Sequence, residues 1–313
     1  MTTILDIPGS NPPNAFSTPI QALLTLSKHS STPAPDETAT NIVNSVASSS
    51  DPAHALWELW DAFFTAVATS STSHEPLIAL LDALHAQPPT QLSVRARSKA
   101  ERQLSSYIRA DGHLHWQTLP RFSSQWRDVH DVLEAWRDWD GVRDSGAGDS
   151  WTVSTVGSNG GEYFLRFCVF SAALVKSTKG KDMVYPIWVF YACRDVLERE
   201  RPQSCPPKAH RMSSEQVWAL DVRVAAIWMR DGGPALWEAD YEGLRRHWAA
   251  ALDEKTELWP REEGLTRERW LFWGNRLRAL SIEGTLDKET VAVVIEAAEV
   301  VSGILVGDSN LGY

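Results

Sequence analysis

The stretch LTRERWLFWGNRLRAL, residues 265–280, carries the signals that decide the fold. Thr266 stands where a helix N-cap is expected, and Trp270, Trp273 and Leu277 follow with spacings of three and four residues. Apolar residues at this spacing fall on one face of a helix. A hydroxyl at the N-cap accepts a hydrogen bond from a backbone N–H group that the helix leaves free. The stretch therefore predicts a helix that buries a tryptophan-rich face.

Helix start signals and apolar spacing recur along most of the chain. Asp51-Pro52 combines a capping residue with proline at the first helical position, and Ser213 predicts another start. The Gly232-Gly233 pair predicts a stop before a new helix at Pro234. In the C-terminal half the pattern predicts helices over 161–177, 184–201, 214–231, 234–253, 266–281 and 286–305. With no repeat at a solenoid period, the sequence predicts an all-α globular array of about ten to twelve helices.

Domain organisation follows from the Pro-rich start and from a Gly-rich stretch in the middle. We expect a disordered segment over 1–14 and a flexible one over 306–313. Between them, 15–305 is either one helical domain or two lobes that meet near 140–160, where Gly, Asp, Ser and Asn are concentrated. The one strand-like run is Trp151–Val156.

Composition restricts the kind of ligand. The formal net charge is −10 and no Lys/Arg cluster outweighs it, which argues against nucleic acid as a partner. Hydrophobic residues make up 43% of the chain and charged residues 22%, as in ordinary globular proteins, but there are 15 tryptophans. The composition favours a small apolar or neutral metabolite.

The three cysteines and the apolar runs bear on the compartment. Cys168, Cys193 and Cys205 are odd in number and widely spaced, which is typical of reduced thiols in a cytoplasmic protein. The N-terminus lacks the pattern of a signal peptide, and no uninterrupted apolar run reaches the roughly 18–20 residues of a membrane span. We therefore expect a cytoplasmic chain without a membrane span.

No cofactor or metal is expected, because the phosphate-loop, Cys-x-x-Cys and His-Glu-x-x-His patterns are absent. The acidic string RDWDGVRD, residues 137–144, is better interpreted as a solvated helix end than as a metal site. His113 and His115 could share a zinc ion only with a further ligand from elsewhere, and two surface histidines are the simpler interpretation.

Several longer blocks carry a family resemblance. They are LWELWDAFFTAV (56–67), HEPLIALLDAL (74–84), WQTLPRF (116–122), NGGEYFLRFCVFSAAL (159–174), PIWVFYACRDVLE (186–198), VWALDVRVAAIWMRDGGPALW (217–237) and GLTRERWLFWGNRLRAL (264–280). With these blocks the chain resembles a family of all-helical proteins from filamentous fungi, catalogued as domain of unknown function 3632. The resemblance spans most of 51–305 and implies a fungal origin and an intracellular setting. It rests on aromatic and helical patterns and implies no active-site residues.

Charges inside apolar helix faces are the candidate functional groups. Asp221 lies on the stripe that contains Trp218 and Trp228, so its carboxylate must be paired or neutral. Glu162 and Arg166 are four residues apart and can pair with each other on one helix face.

Two arginines of the opening stretch, Arg269 and Arg276, fall beside aromatic residues and need carboxylates, carbonyls or ring faces around them. Asp221, Glu162 and Asp195 are the candidate counter-ions, whereas the end of the 184–201 helix, with Glu198, is expected to reach solvent.

The candidate catalytic residues are thus Asp221, Arg276, Arg166 and Glu162. The candidate substrate-binding residues are Trp273, Arg269, Trp188, Tyr191, Trp218, Trp228, Tyr163 and Phe167. One hypothesis is a buried ion-pair network that fixes helix register. The other is a tryptophan-lined cavity of at least roughly 300 Å³ for a ligand.

The cavity hypothesis predicts that the protein is a cofactor-independent, Diels–Alderase-like cyclase of fungal secondary metabolism. Such an enzyme folds a polyene or terpenoid into its reactive conformation. The alternatives are a non-catalytic module that binds a protein or a small molecule, and an acid/base isomerase that uses Asp221 or Glu162.

Overall fold

The computed structural model describes residues 14–25, 34–93, 102–140, 159–178, 183–205, 208 and 211–309. Within these ranges the chain has eleven α-helices, one turn of 3-10 helix and one two-stranded sheet, which confirms the predicted all-α array. The predicted strand-like run Trp151–Val156 lies outside the described residues. So do residues 1–13 and 310–313 of the predicted disordered and flexible ends (1–14 and 306–313), whereas residues 306–309 belong to the last helix. The chain divides into two compact units.

The first unit comprises Met1–Trp136 and Glu162–Phe167. Its elements are α1 (Ser17–Leu24), α2 (Pro35–Ser48), α3 (Pro52–Thr69), α4 (Glu75–His85), β1 (Thr90–Gln91), β2 (His113–Leu114), the 3-10 turn (Trp116–Thr118) and α5 (Phe122–Trp136). The two strands are antiparallel and pair Thr90 with Leu114.

Local chemistry accounts for α3, the central helix of the first unit. As predicted, Asp51 is its N-cap and accepts from the backbone N–H of His54 at 3.4 Å, with proline at the first helical position. Its buried face supplies Trp60 and Phe64 to a cluster of edge-to-face and tilted rings with Phe122. Such ring pairs add to the free energy that burying their apolar area contributes.

The second unit comprises Arg137–Gly161 and Cys168–Tyr313. Its helices are α7 (Ile187–Leu197), α8 (Ser214–Trp237), α9 (Tyr241–Leu252), α10 (Arg267–Ile282) and α11 (Lys288–Ser309), while α6 (Gly160–Thr178) supplies residues to both units. The cap predictions are confirmed: Ser213 forms a capping box with Gln216, and Thr266 accepts from the backbone N–H of Arg269.

The predicted helix break at Gly232-Gly233 is wrong, because α8 continues through Pro234 to Trp237. A Cβ atom added at Gly232 would lie 2.7 Å from Cγ2 of Val189 on α7. Glycine at this position therefore permits the close approach of α7 and α8, and it is a packing residue rather than a helix stop.

The last helix, α11, is unusually apolar. Its residues Lys288–Gly307 are long and apolar enough to cross a membrane by length and composition alone, with a third of them buried. The core helix of a soluble domain meets the same criteria, and α11 packs along both α8 and α10. These helix contacts account for its buried residues Val294, Ala297 and Val301.

Candidate functional site

The two predicted residues Arg269 and Trp273 of α10 belong to a buried ion pair rather than to an open wall. Arg269 donates from Nε to Oε1 of Glu198 at 2.6 Å and from Nη2 to Oε2 at 2.8 Å. Neither Arg269 nor Glu198 is exposed to solvent (0% each). Trp273 donates its indole N–H to Oε1 of Glu198 at 2.7 Å, and Thr256 donates its hydroxyl to Oε2 at 3.1 Å.

Arg269 has the three kinds of contact that its charge requires: a carboxylate, backbone carbonyls and aromatic rings. Nη1 of Arg269 donates to the carbonyls of Leu252 (2.7 Å) and Gly264 (2.8 Å). Its guanidinium carbon lies 4.8 Å from the ring centroid of Phe190 and 5.8 Å from that of Trp259. A buried charge is tolerable only with this degree of pairing and hydrogen bonding.

The predicted counter-ions of Arg269 are wrong, as is the predicted exposure of Glu198. Asp221 binds Arg137 at 2.9 Å, and Asp195 binds Arg194, also at 2.9 Å. Glu198, at the C-terminus of α7, faces inward instead of reaching solvent because its carboxylate accepts the hydrogen bonds of Arg269, Trp273 and Thr256. Leu258 donates its backbone N–H to the carbonyl of Glu198 at 3.0 Å. A short loop thus covers this helix end.

Arg276 lies on α10 two turns beyond Arg269 and is half-buried. None of the predicted carboxylates pairs with it within the part of the chain that the structure describes. Its Nε is buried and likewise has no hydrogen-bond acceptor among the described residues.

Glu162 and Arg166 form the predicted pair, with Nη2 of Arg166 3.0 Å from Oε2 of Glu162. Arg166 also donates to the carbonyl of Thr69 at 3.3 Å, at the last turn of α3. A cation at a helix C-terminus satisfies carbonyls that the helix leaves free, so Arg166 has a structural role in the first unit. In the same unit, Tyr163 is buried and Phe167 packs 5.5 Å from Trp126.

The remaining predicted tryptophans differ in burial. Trp228 and Trp273 are 2% and 0% exposed and lie in the core of the second unit. Trp188 and Tyr191 are half-buried on α7 with ring centroids 5.6 Å apart. Burial raises the pKa of Tyr191, and Asp195 and Glu254 raise it further against the effect of Arg194.

A cleft of about 300 Å³ in the second unit contains the other two predicted residues, Trp218 and Asp221. It is open to solvent. The start of α8 forms one part of the lining, and the segment after α5 and the segment before α8 form the rest. The lining residues are Arg137, Asp138, Pro202, Cys205, Lys208, Arg211, Met212, Ser214, Val217, Trp218 and Asp221.

Two ion pairs line this cleft. Asp221 accepts from Nε of Arg137 at 2.9 Å and from Nη2 at 3.4 Å, with the Asp221 side chain 23% exposed. Asp221 is thus paired, one of the two predicted states, but it lies at the cleft surface rather than inside an apolar pocket. The second pair joins Nη1 of Arg211 to Asp138. The guanidinium carbon of Arg211 lies 4.3 Å from the ring centroid of Trp139, which orients the cation.

Part of the cleft lining is apolar. Trp218 is 4% exposed, and its indole nitrogen has no hydrogen-bond acceptor among the described residues. Met212 and Val217 are half-buried beside it. The cleft therefore combines an apolar surface with a few fixed charges, which is the usual composition of a small-molecule site.

Sequence reasoning missed most of the cleft because Arg137, Asp138 and Arg211 lie outside the helices. The available signal was the string RDWD directly after α5, which had been interpreted as a solvated helix end. Arg137 and Asp138 instead bind partners 84 and 73 residues away.

The structure brings histidines and carboxylates together in two places, of which the sequence indicated only the one with His113 and His115. Oδ2 of Asp111 lies 3.0 Å from Nε2 of His115, and Oδ1 lies 3.7 Å from Nδ1 of His113. In the described part of the chain, His130, Asp131 and Glu134 bring one ligand atom each within 4.8 Å of one another. All three lie on one stretch of α5 with both carboxylates exposed, and clusters of this kind are common on helix surfaces.

The described elements thus define an all-α protein with a ligand-sized cleft beside the N-terminus of α8. A family model described as "Protein of unknown function (DUF3632)" matches residues 60–277, which is more than half of the chain. The chain therefore belongs to this family. No curated protein and no solved structure matches it.

Proposed function

We propose that this chain binds a small organic metabolite in the cleft at the start of α8. The observation that carries the proposal is that apolar side chains and oriented cations line the same cleft. The apolar side chains are Trp218, Met212 and Val217, and the cations are Arg137, which Asp221 binds, and Arg211, which lies over the Trp139 ring. Small-molecule sites have this composition and begin at volumes of roughly 300 Å³.

The enzymatic form of the proposal is the cofactor-independent cyclisation expected from the sequence, as part of fungal secondary metabolism and in the cytoplasm. Guanidinium groups at the wall can polarise a substrate carbonyl, and the indole of Trp218 can exclude water from one face. A unimolecular cyclisation needs little more than a fixed reactive conformation and such polarisation. The proposed site for this chemistry is the open cleft, which Trp188, Trp228 and Trp273 do not line.

The two alternative functions, an acid/base isomerase and a protein-interaction module, depend on other residues. An acid/base isomerase requires a carboxyl that can contact the substrate, but the carboxylates of Asp221 and Glu162 each bind an arginine. A protein-interaction module requires exposed apolar side chains, and α10 and α11 present Leu271, Ile282, Ile295 and Val306. These four side chains carry no polar group that would select a partner, so the cleft is the better supported site.

Native mass spectrometry of the full chain, after incubation with an organic extract of the source organism, tests the proposal. We expect a defined small-molecule adduct with the wild type. The Val217→Trp variant fills the cleft and should lose the adduct. Leu271→Trp places the same side chain on the exposed face of α10 and should keep it.

An adduct that survives Val217→Trp places the ligand elsewhere and contradicts the proposal. For the cyclisation itself, the adduct is incubated and its product identified by chromatography. Asp221→Asn should then slow conversion while keeping the adduct, because it unbalances the charge of Arg137 without removing the apolar wall. Equal conversion by wild type and Asp221→Asn rules out a role for this ion pair in the chemistry.

A further inference from the structure

The charges that line the cleft do not balance. Among the described lining residues, Arg137, Lys208 and Arg211 are cations and Asp138 and Asp221 are anions, which makes three positive groups and two negative groups. The chain as a whole has a net charge of −10. A positive cleft in an acidic protein attracts anions locally, against the field of the remaining surface.

Pairing within the described residues identifies the excess cation. Arg137 is held by both oxygens of Asp221, and Asp138 is bound by Nη1 of Arg211. Lys208 is exposed and forms no ion pair within the described part of the chain. Its ammonium group is therefore free to bind an anion in the cleft.

Arg211 provides the directional contact. Its hydrogen bond to Asp138 uses one of five N–H donors, and its plane is held against the ring of Trp139. A guanidinium fixed in this way presents further donors in a planar fork that matches a carboxylate. Holding the fork in place beforehand lowers the entropy that a ligand loses on binding.

We propose that the ligand of the cleft is a monocarboxylate with an apolar body, bound through Lys208 and Arg211 with the body against Trp218 and Met212. This inference rests on the proposed binding function and replaces the neutral ligand expected from composition. A dianionic phosphate fits less well, because Asp138 and Asp221 would repel its second charge. The cleft volume of about 300 Å³ corresponds to on the order of ten water molecules at roughly 30 Å³ each. A ligand that fills the cleft therefore has on the order of ten non-hydrogen atoms.

Alkylation of Cys205 tests this inference directly. Cys205 lines the cleft and is exposed, while Cys168 and Cys193 are buried, so iodoacetamide reports on the cleft in the native protein. The alkylation rate is followed by intact-protein mass spectrometry while 3-phenylpropanoate is added. The isosteric neutral 3-phenylpropanamide is added in a parallel titration. Phenylacetate and octanoate, each with its amide, extend the comparison to a shorter and to an unbranched aliphatic body.

We expect the acids to protect Cys205 at about tenfold lower concentration than the amides, which is the size of effect that a charge-assisted hydrogen bond gives. Lys208→Gln and Arg211→Gln should each reduce this preference to within about threefold. Lys255→Gln removes an exposed lysine that pairs with Glu262 outside the cleft, and it should leave the preference unchanged.

The possible results separate the two proposals. Equal protection by acid and amide overturns the monocarboxylate inference and leaves the binding function standing. Protection by neither overturns both. A preference for acids that persists in both Lys208→Gln and Arg211→Gln places the anion elsewhere and overturns the inference. Thermal unfolding of each variant verifies that loss of protection does not follow from loss of the fold.

Discussion

Glu198 and Arg269 bind each other through two hydrogen bonds, of 2.6 and 2.8 Å, with neither side chain exposed to solvent. The same carboxylate accepts from Trp273 and Thr256, so α7, α10 and the loop between α9 and α10 meet at one charged group. The four hydrogen bonds fix the register of these elements. Burial, and secondarily the charge of Glu198, raises the pKa of the neighbouring Cys193 thiol well above its usual range.

Glu198→Gln should strongly destabilise the protein, because it leaves the charge of Arg269 buried without a counter-ion. We expect a loss of about 3–5 kcal/mol in the free energy of unfolding, measured by urea denaturation. The control is Glu262→Gln, which removes an exposed partner of Lys255 and should leave the free energy of unfolding close to that of the wild type. A loss below about 1 kcal/mol for Glu198→Gln would mean that the pair is solvated in solution.

Glycine positions on two helices should respond with opposite sign to the same substitution. Gly232→Ala places Cβ 2.7 Å from Cγ2 of Val189, so α7 and α8 must separate, at a cost of about 1–3 kcal/mol. Gly303→Ala on α11 meets no atom within 4 Å, and the higher helix propensity of alanine should stabilise by up to about 1 kcal/mol. Both values come from chemical denaturation. If both variants are stabilised, the close approach of α7 and α8 is wrong.

The success and failure of the sequence predictions have identifiable physical causes. The caps at Asp51, Ser213 and Thr266 were predictable because capping depends on residues within one helical turn. The need of Arg269 for a buried partner was predictable from helical periodicity as well. Its partner Glu198 was not, because the two are 71 residues apart and a single helix carries no information on the register of its neighbour.

The residues of the cleft were likewise predictable only where they lie on a regular helix face. Trp218 and Asp221 were found because they lie on the regular face of α8. Arg137, Lys208 and Arg211 were missed because they lie between helices, where side-chain direction follows no period. Gly232 was misinterpreted since the sequence contains no sign that Val189 packs over it.

Asp61 of α3 should make stability depend on pH. Its side chain is 7% exposed, and Oδ1 has no hydrogen-bond partner among the described residues. Burial, with a smaller contribution from Glu58, raises the pKa of Asp61 from 3.8 to about 6. A raised pKa in the folded state means that folding favours the protonated acid. The contribution of Asp61 to the free energy of unfolding is therefore greatest below about pH 4, and this contribution is lost as the pH rises through about 6.

Asp61→Asn removes this dependence. At roughly 1.4 kcal/mol per pKa unit, the variant should gain about 2–3 kcal/mol relative to wild type between pH 4 and pH 7.5. Urea denaturation at the two pH values measures the gain. Glu299→Gln, at an exposed position of α11, is the control for the loss of one acid. A difference between Asp61→Asn and wild type that stays constant across this range would show that the Asp61 carboxyl is solvated.

The three cysteines should differ sharply in reactivity towards iodoacetamide at neutral pH. Cys205 is exposed, whereas Cys168 and Cys193 have no exposed surface and the pKa of Cys193 is raised by burial. Because the thiolate is the reactive form, a buried thiol reacts only when the structure opens locally. We expect Cys205 to react at least about a hundredfold faster than the two buried thiols, which peptide mapping measures.

Glu198→Gln should accelerate the alkylation of Cys193 selectively, since it weakens the packing of α7 on α10, and should leave the rate at Cys205 unchanged. Acceleration of all three thiols would instead indicate global unfolding of the variant, and an unchanged rate at Cys193 would show that the Glu198–Arg269 pair does not hold α7 closed.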